Sequence, residues 1–504
     1  MIYLKLSEVN FEYDVRGLLT SFYPGTEIVL GAGERFLPGD KCLEVEYGKN
    51  EIRVRLHSFR EETLAPESGQ GNGEAGTDGK ERRQEASAAA DSSDRKTAKS
   101  ILKRLVYGLL SSDTGKTLPW GTLTGIRPTK IPMAMLEEGA SEEEIVSYME
   151  DTYFTSRKKI DLSIEIAKRE KEVLRHIDYK DGYSLYIGIP FCPTTCLYCS
   201  FTSYPIAKWA PRMEEYLEAL FKEIDYTREA FAHKKLNTIY IGGGTPTTLT
   251  PDQLDRLLGK VEESFDLADL QEWTVEAGRP DSVTEEKLEA VKRHPVSRIS
   301  INPQTMKAET LKLIGRKHSP EQIEEAYRLA RSEGFDNINM DLIMGLPEET
   351  VDDVRFTMEK LYGMAPDSIT VHSLAIKRAA RLNTMKEQYA HLRFENTEEM
   401  MEMTESYCRR LGLEPYYLYR QKNMAGNFEN VGYARPGKAG IYNILIMEEK
   451  QSIVALGAGS TTKAVFPDGR IERCDNVKDI DLYLGRIDEM ISRKKQLFSQ
   501  FSDL

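Results

Sequence analysis

Between Ser184 and Leu374 the chain alternates short β-rich runs with amphipathic helical stretches, and this alternation restricts the folds open to it more than any other feature. The runs are SLYIGIP, NTIYIGG, EWTVEA, SRISINP, NINMDLIMG and SITVHSL. Helix patterns lie between them, and the first carries Met213, Tyr216, Leu217, Leu220, Phe221 and Ile224 at three- and four-residue spacings. Thr250, Pro251 and Gln253 spell out one helix start, and Ser319, Pro320 and Gln322 another. Six strand-helix units predict an α/β fold, a partial TIM-like (β/α)6 barrel open on one side, with its chemistry on the loops at the C-terminal strand ends.

The first of those loops is the most specific. GIPFCPTTCLYCSF places Cys192, Cys196 and Cys199 in a C-x3-C-x2-C array directly after a strand. Three thiolates on a short loop can hold three corners of a [4Fe-4S] cubane and leave the fourth iron without a protein ligand. S-adenosylmethionine (SAM) can chelate that iron through its amino and carboxylate groups, and an electron from the reduced cluster then cleaves the sulfonium to a 5′-deoxyadenosyl radical. A structural zinc site asks for a fourth Cys or His, and none lies nearby in the sequence. Cys42, Cys408 and Cys474 are scattered through segments that read as core, so the six cysteines form no disulfide framework and a reducing compartment is expected.

A chain of 504 residues has room for two or three domains. Its net charge of −13 argues against a nucleic-acid partner. The N-terminal MIYLKLSEVNFEYD lacks a basic region followed by an apolar run, and no stretch approaches a membrane span, so a cytoplasmic protein without a membrane partner is expected. Residues 1–62 alternate apolar and polar as a small β-rich domain. From Ala65 to Ala98 there is no Val, Ile, Leu, Met, Cys or aromatic residue, which predicts a disordered linker over 63–99. A helical connecting region over 100–180, a core barrel over 181–380 and a substrate-covering α+β region over 381–504 complete the expected organisation. Gly115-Lys116-Thr117 imitates the tail of a phosphate-binding loop, but Leu110 stands where that motif needs Gly and no strand precedes it. Residues 119–130, PWGTLTGIRPTK, read as a well-turned loop.

Polar residues gather at the other strand ends. Gly242, Gly243 and Gly244 with Thr245 follow the second run, Glu276 ends the third, Gln304 the fourth, Arg316 follows it, and Asp341 lies in the fifth. Singly these read as a turn, a solvated carboxylate, a capping amide or a helix-end arginine. Their joint placement around one rim points to a site.

The C-x3-C-x2-C array after PF, then GGGTPT, VEA, INPQ, IGRKH and NMDLIMGLP, resemble the radical SAM oxygen-independent coproporphyrinogen III oxidase family over roughly residues 180 to 470. The long N-terminal extension and GTLTGIRPTK are similar to its HemZ-type branch of coproporphyrinogen dehydrogenase-like proteins. The resemblance implies that Cys192, Cys196 and Cys199 ligate a [4Fe-4S] cluster and that Tyr186, Gly243 and Glu276 contact the cluster-bound SAM, with Gly244 counted in the same cofactor-binding run. It implies that Tyr198, Thr245, Gln304, Arg316, Asp341 and Ala375 line an adjacent site where some members hold a second SAM, so one or two SAM molecules are expected. The implied reaction is oxidative decarboxylation of two propionates of coproporphyrinogen III, or a related tetrapyrrole, in haem biosynthesis. The implied partner is a reducing donor such as flavodoxin or ferredoxin.

The chain departs from the better-characterised oxidases at Phe201, where they carry a further Cys, and at Gly188, where they carry a His. Tyr442-Asn443 stands where members often show His-Asn, and in the related haem-chaperone branch that His is associated with haem. Two functions therefore remain open, a coproporphyrinogen dehydrogenase and a haem carrier on the same scaffold. Lys377, Arg378 and Arg381 after the sixth run form either a propionate-binding cluster or a solvated helix start.

Overall fold

The computed structural model describes residues 1–8, 10–31, 36–60, 80–91, 94–125, 127–421, 424, 426 and 428–503. The chain divides into two compact units. The first comprises residues 1–128, 138–162 and 421–423. Its sheet has strand order β2-β1-β3-β4-β5, where β1 is Ile2–Leu6, β2 Ile28–Leu30, β3 Lys41–Tyr47, β4 Glu51–Arg60 and β5 Lys80–Ala89. The β1 strand runs parallel to β2 and β3, while β3, β4 and β5 form an antiparallel meander. Alternation along β3 and β4 turns Leu43, Val45, Val54 and Leu56 onto Val15, Leu18 and Leu19 of the helix Glu12–Phe22 and Leu102 and Val106 of the helix Arg95–Thr114.

The linker expectation fails over its second half. Lys80–Ala89 pairs with β4 residue for residue, from Glu51↔Ala89 to Arg60↔Lys80. Asp94 caps the next helix through the amides of Lys96 and Thr97, so residues 95–98 are its first turn. Composition misses this strand because a backbone ladder and cross-strand ion pairs such as Arg55–Glu85, 3.0 Å, hold it in place of apolar burial. Residues 61–79 lie outside the described residues.

The second unit comprises residues 129–137, 163–420 and 424–504. Its strands are β6 Gly182–Ile189, β7 Phe191–Cys192, β8 Tyr204–Pro205, β9 Lys235–Gly243, β10 Glu272–Glu276, β11 Arg298–Ser300, β12 Ile338–Met344, β13 Ser368–Ser373, β14 Glu414–Tyr419, β15 Asn430–Ala434, β16 Ser452–Leu456, β17 Thr461–Val465 and β18 Ile471–Asp475. The six expected strands, β6, β9, β10, β11, β12 and β13, pair in that order and all in parallel. Leu185, Ile187, Ile239, Val275, Leu342 and Val371 on them have no exposed surface, as strands buried beneath crossover helices must. Both expected capping boxes form, Thr250 with Gln253 and Ser319 with Gln322.

The barrel is not closed. The free edge of β13 takes antiparallel β15 and then β14, and the free edge of β6 takes parallel β16 followed by antiparallel β17 and β18. The C-terminal extension, expected as a covering region over 381–504, therefore continues the same sheet at both of its edges, where unpaired backbone groups would otherwise face solvent. Among the described residues no helix is long and apolar enough to cross a membrane.

Candidate active site

The β6 strand ends at Ile189, and β7 then pairs with β8, Phe191 opposite Tyr204 and Cys192 opposite Pro205, clipping the cysteine loop into a closed excursion. All three cysteines on it are free thiols, with Cys196 buried and the other two half-buried. The loop is strapped from several sides. Leu197 N donates to Ile314 O at 2.9 Å, Thr194 Oγ1 to Gly315 O at 2.9 Å, and Leu382 N to Leu197 O at 3.1 Å. Thr245 Oγ1 lies 3.5 Å from Cys192 Sγ and Arg279 Nη1 lies 3.6 Å from Cys196 Sγ. Burial pushes the Cys192 thiol up to about 11 and the Cys199 thiol upward as well, a cost that ligation to a cationic centre reverses. Among the described residues no three His, Cys, Asp or Glu side chains converge on one ion. Ligands of separate irons in a cluster need no such convergence.

The glycine run lies between that loop and Glu276. A Cβ at Gly244 would stand 2.6 Å from Phe191 O, one at Gly242 2.9 Å from the Glu276 carboxyl carbon, and one at Gly243, whose φ is +106°, 3.1 Å from Tyr186 Oη. No larger residue lets the end of β9 come this close, and the approach is sealed by Gly244 N to Ile189 O, 2.9 Å, and Thr245 N to Phe191 O, 2.8 Å. Glu276 accepts from Tyr240 Oη at 2.5 Å, and burial pushes its carboxyl up to about 7. Tyr240 stacks on Tyr442 with ring centroids 4.6 Å apart, and Tyr186 completes the group 6.2 Å from Tyr240. The buried Glu272 fixes Tyr442 by accepting from the amides of Ile441 and Tyr442.

A second arc continues around the rim. Gln304 is 6% exposed and holds φ +68°, a strained geometry for a side-chain-bearing residue, and its Oε1 has no hydrogen-bond partner. It shares backbone with β12, donating to Asp341 O at 2.9 Å and accepting from Ile343 N at 3.0 Å. Arg316 is buried, donates to Asn302 O at 2.6 Å and Tyr198 Oη at 3.3 Å, and has an unpartnered Nε. Burial opposes the charge on Asp341, but His372, Asn339 and Arg298 outweigh it and hold the carboxyl below its usual range. Ala375 forms an isolated antiparallel bridge with Met424.

The structure thus joins Cys192 to Thr245, Gly243 to Tyr186, Tyr198 to Arg316, and Gln304 to Asp341. It does not gather the basic triplet equally. Lys377 is half-buried with its Nζ 5.5 Å from the Phe201 ring centroid, whereas Arg378 and Arg381 are exposed. Sequence reading missed Arg279 and Tyr240, and it singled out Tyr442 only as a departure from a haem-associated His and not as a neighbour of Glu276's partner Tyr240. Tyr240 left a signal, since it sits opposite Tyr186 in the β6–β9 register.

The profile of the Radical SAM superfamily matches residues 186–361. The oxygen-independent coproporphyrinogen-III oxidase-like protein HemZ of Bacillus subtilis is 42% identical over 414 residues, covering 80% of this chain and 83% of that protein. The chain belongs to this HemZ family of radical SAM proteins. The heme chaperone HemW of Bacillus subtilis is 32% identical over 280 residues, 55% of this chain and 70% of that protein. The solved structure of coproporphyrinogen III oxidase HemN from Escherichia coli, a radical SAM enzyme, matches with TM-score 0.51 at 22% identity over 64% of this chain and 73% of that one, so the fold is shared.

Membership of the family implies a [4Fe-4S] cluster and SAM. Three free thiols on one loop suit that cluster, and the cradle at Gly242–Gly244 suits a ligand lying close to backbone. One of the two departures from the oxidase pattern, Gly188, has a local cause. A Cβ at Gly188 would already stand 3.3 Å from Leu456 O, because the 457–459 turn packs against this part of β6. Phe201 is 69% exposed, so its side chain is directed to solvent beside the cysteine loop.

Proposed function

We propose that this protein is an oxygen-independent coproporphyrinogen dehydrogenase that converts two propionates of coproporphyrinogen III into the vinyl groups of protoporphyrinogen IX. The observation that carries the reading is the placement, on one rim, of three thiols, a glycine cradle with Glu276, and the buried unpartnered polar atoms of Gln304 and Arg316. When bound, the cluster and SAM supply a 5′-deoxyadenosyl radical, and each vinyl group then costs one hydrogen atom from the propionate β-carbon, one carbon dioxide and one electron passed to an external acceptor. Cys192, Cys196 and Cys199 would hold the cluster. Glu276 would accept from ribose hydroxyls, with Tyr240 orienting its carboxylate. Gln304, Arg316 and Asp341 offer an amide oxygen, a guanidinium and a carboxylate to a second polar ligand, matching the carboxylate and amino groups of another SAM. Lys377, Arg378 and Arg381 would meet substrate propionates.

The likeness to heme chaperones supports a second reading, a haem carrier. Against it, the residue standing at the haem-associated histidine position is Tyr442, 6% exposed and stacked inward on Tyr240. Anaerobic turnover of reconstituted protein with SAM, reductant and coproporphyrinogen III separates the two. Protoporphyrinogen IX and 5′-deoxyadenosine are expected. Stoichiometric haem uptake without decarboxylated product, across a range of electron acceptors, overturns the enzyme in favour of the carrier.

A further inference from the structure

Arg279 lies three residues beyond Glu276, has 3% of its side chain exposed, and no motif points to it. A guanidinium so buried is destabilising unless its donors are used. Here two of them, Nε and Nη2, grip Asp281 at 3.1 and 3.0 Å in a fork. Burial opposes the charge on Asp281, yet His318 and Arg279 hold that carboxyl well below the usual range, so the pair is ionised. The remaining donors face the cysteine loop. Nη2 also reaches Thr194 Oγ1 at 3.1 Å, and Nη1 is shared between Thr194 O at 3.2 Å and Cys196 Sγ at 3.6 Å.

We infer that Arg279 is a positioning residue that donates an N–H···S hydrogen bond to the middle cluster ligand, Cys196, and thereby raises the reduction potential of the cluster. An N–H aimed at a thiolate withdraws electron density from the sulfur, and the effect grows when the cluster gains an electron, so the reduced state is favoured. Asp281 offsets the charge of the guanidinium but leaves the directional donor in place and locks its plane. Lysine would bring a charge without this fork, because its ammonium cannot meet Asp281, Thr194 and Cys196 together. The easier reduction matters in a protein of net charge −13, whose overall field opposes adding an electron.

The inference rests on the three cysteines holding the cluster and not on the identity of the substrate. Its test is the midpoint potential of the cluster in reconstituted, SAM-free protein, followed by electron paramagnetic resonance during a redox titration, with iron and sulfide content measured on each sample. Arg279→Gln is expected to keep the cluster and to lower the reduced-to-oxidised ratio at the parent midpoint about tenfold, a shift of about 59 mV for a one-electron couple. Arg279→Lys should fall between the two. Tyr204→Phe, which unties the strand closing the cysteine loop from Lys478 O without touching Arg279 or sulfur, should leave the potential unchanged. Parent-like potentials in both Arg279 variants overturn the inference, as does an equal shift in Tyr204→Phe, which would assign the effect to loop packing. If Arg279→Gln does not assemble, Arg279→Lys decides alone, a negative shift supporting the N–H···S bond and an unchanged potential overturning it. A parent protein that binds no four-iron cluster instead refutes the cysteine assignment.

Discussion

Glu276 faces two opposing demands: its proposed role, accepting from ribose hydroxyls, is served best by a carboxylate, and it sits where burial raises its carboxyl to about 7. A carboxyl whose folded pKa lies above its unfolded value of 4.5 contributes stability that is full below the unfolded value and is lost as pH rises through about 7. Glu276→Gln should remove that loss, so the stability of the variant relative to the parent rises by about 3 kcal/mol between pH 4 and pH 8, read by urea unfolding at each pH. A pH-independent difference would show that Tyr240 already compensates for burial. For the cysteines the expectation is sharper. Cys199→Ala should lose the brown chromophore and reductive SAM cleavage, while Cys474→Ser, on β18, should keep both; an unaltered cluster in Cys199→Ala would refute the assignment. The cysteines were legible because their spacing is itself the chemistry. Arg279 was not, because nothing local says that an arginine after β10 reaches back to the loop after β6.

Among the elements, the C-terminal helix Ile487–Ser499 is tied to the helix Met213–Ala230 by a fully buried ion pair, Lys494 Nζ to Glu223 Oε1 at 2.6 Å. Asn476, Tyr483 and the amide of Gly457 complete the shell of Glu223, so this pair fixes the glycine turn that packs against Gly188 of β6. Removing one partner strands the other charge. Lys494→Met should therefore cost about 3–5 kcal/mol in urea unfolding, and the double variant with Glu223→Gln, which leaves no unpaired charge, should lose less. Equal losses in the two would assign the cost to packing. The six parallel strands were legible because burial on both faces, beneath helices outside and within the barrel inside, favours apolar runs. The pairing of β16 with β6 was not, since the strands lie far apart in sequence and neither one's pattern specifies its partner. The β5 strand escaped for a different reason, its partly exposed side chains contributing little apolar burial to a ladder held by backbone.

For the molecule as a whole the difficulty is charge. A chain of net charge −13 is proposed to capture a substrate with four propionates, so long-range electrostatics opposes encounter and only local cations can reverse the sign near the site. Lys377 is the best placed, since it is half-buried over Phe201 and within electrostatic reach of Cys199. Arg378 and Arg381 are exposed, which limits each alone to a fraction of a kcal/mol in water. Replacing all three with Gln should lower kcat/KM for coproporphyrinogen III about tenfold, the equivalent of about 1.4 kcal/mol, chiefly through KM. SAM cleavage without substrate should persist, because these side chains are proposed to meet propionates and not the cofactor. Added salt should lower substrate use by the parent relative to the triple variant, because it screens a local attraction that only the parent has while relieving in both the repulsion from the net negative charge. An unchanged KM in the variant would place the propionates elsewhere on the rim, with Arg316 the next cation to examine.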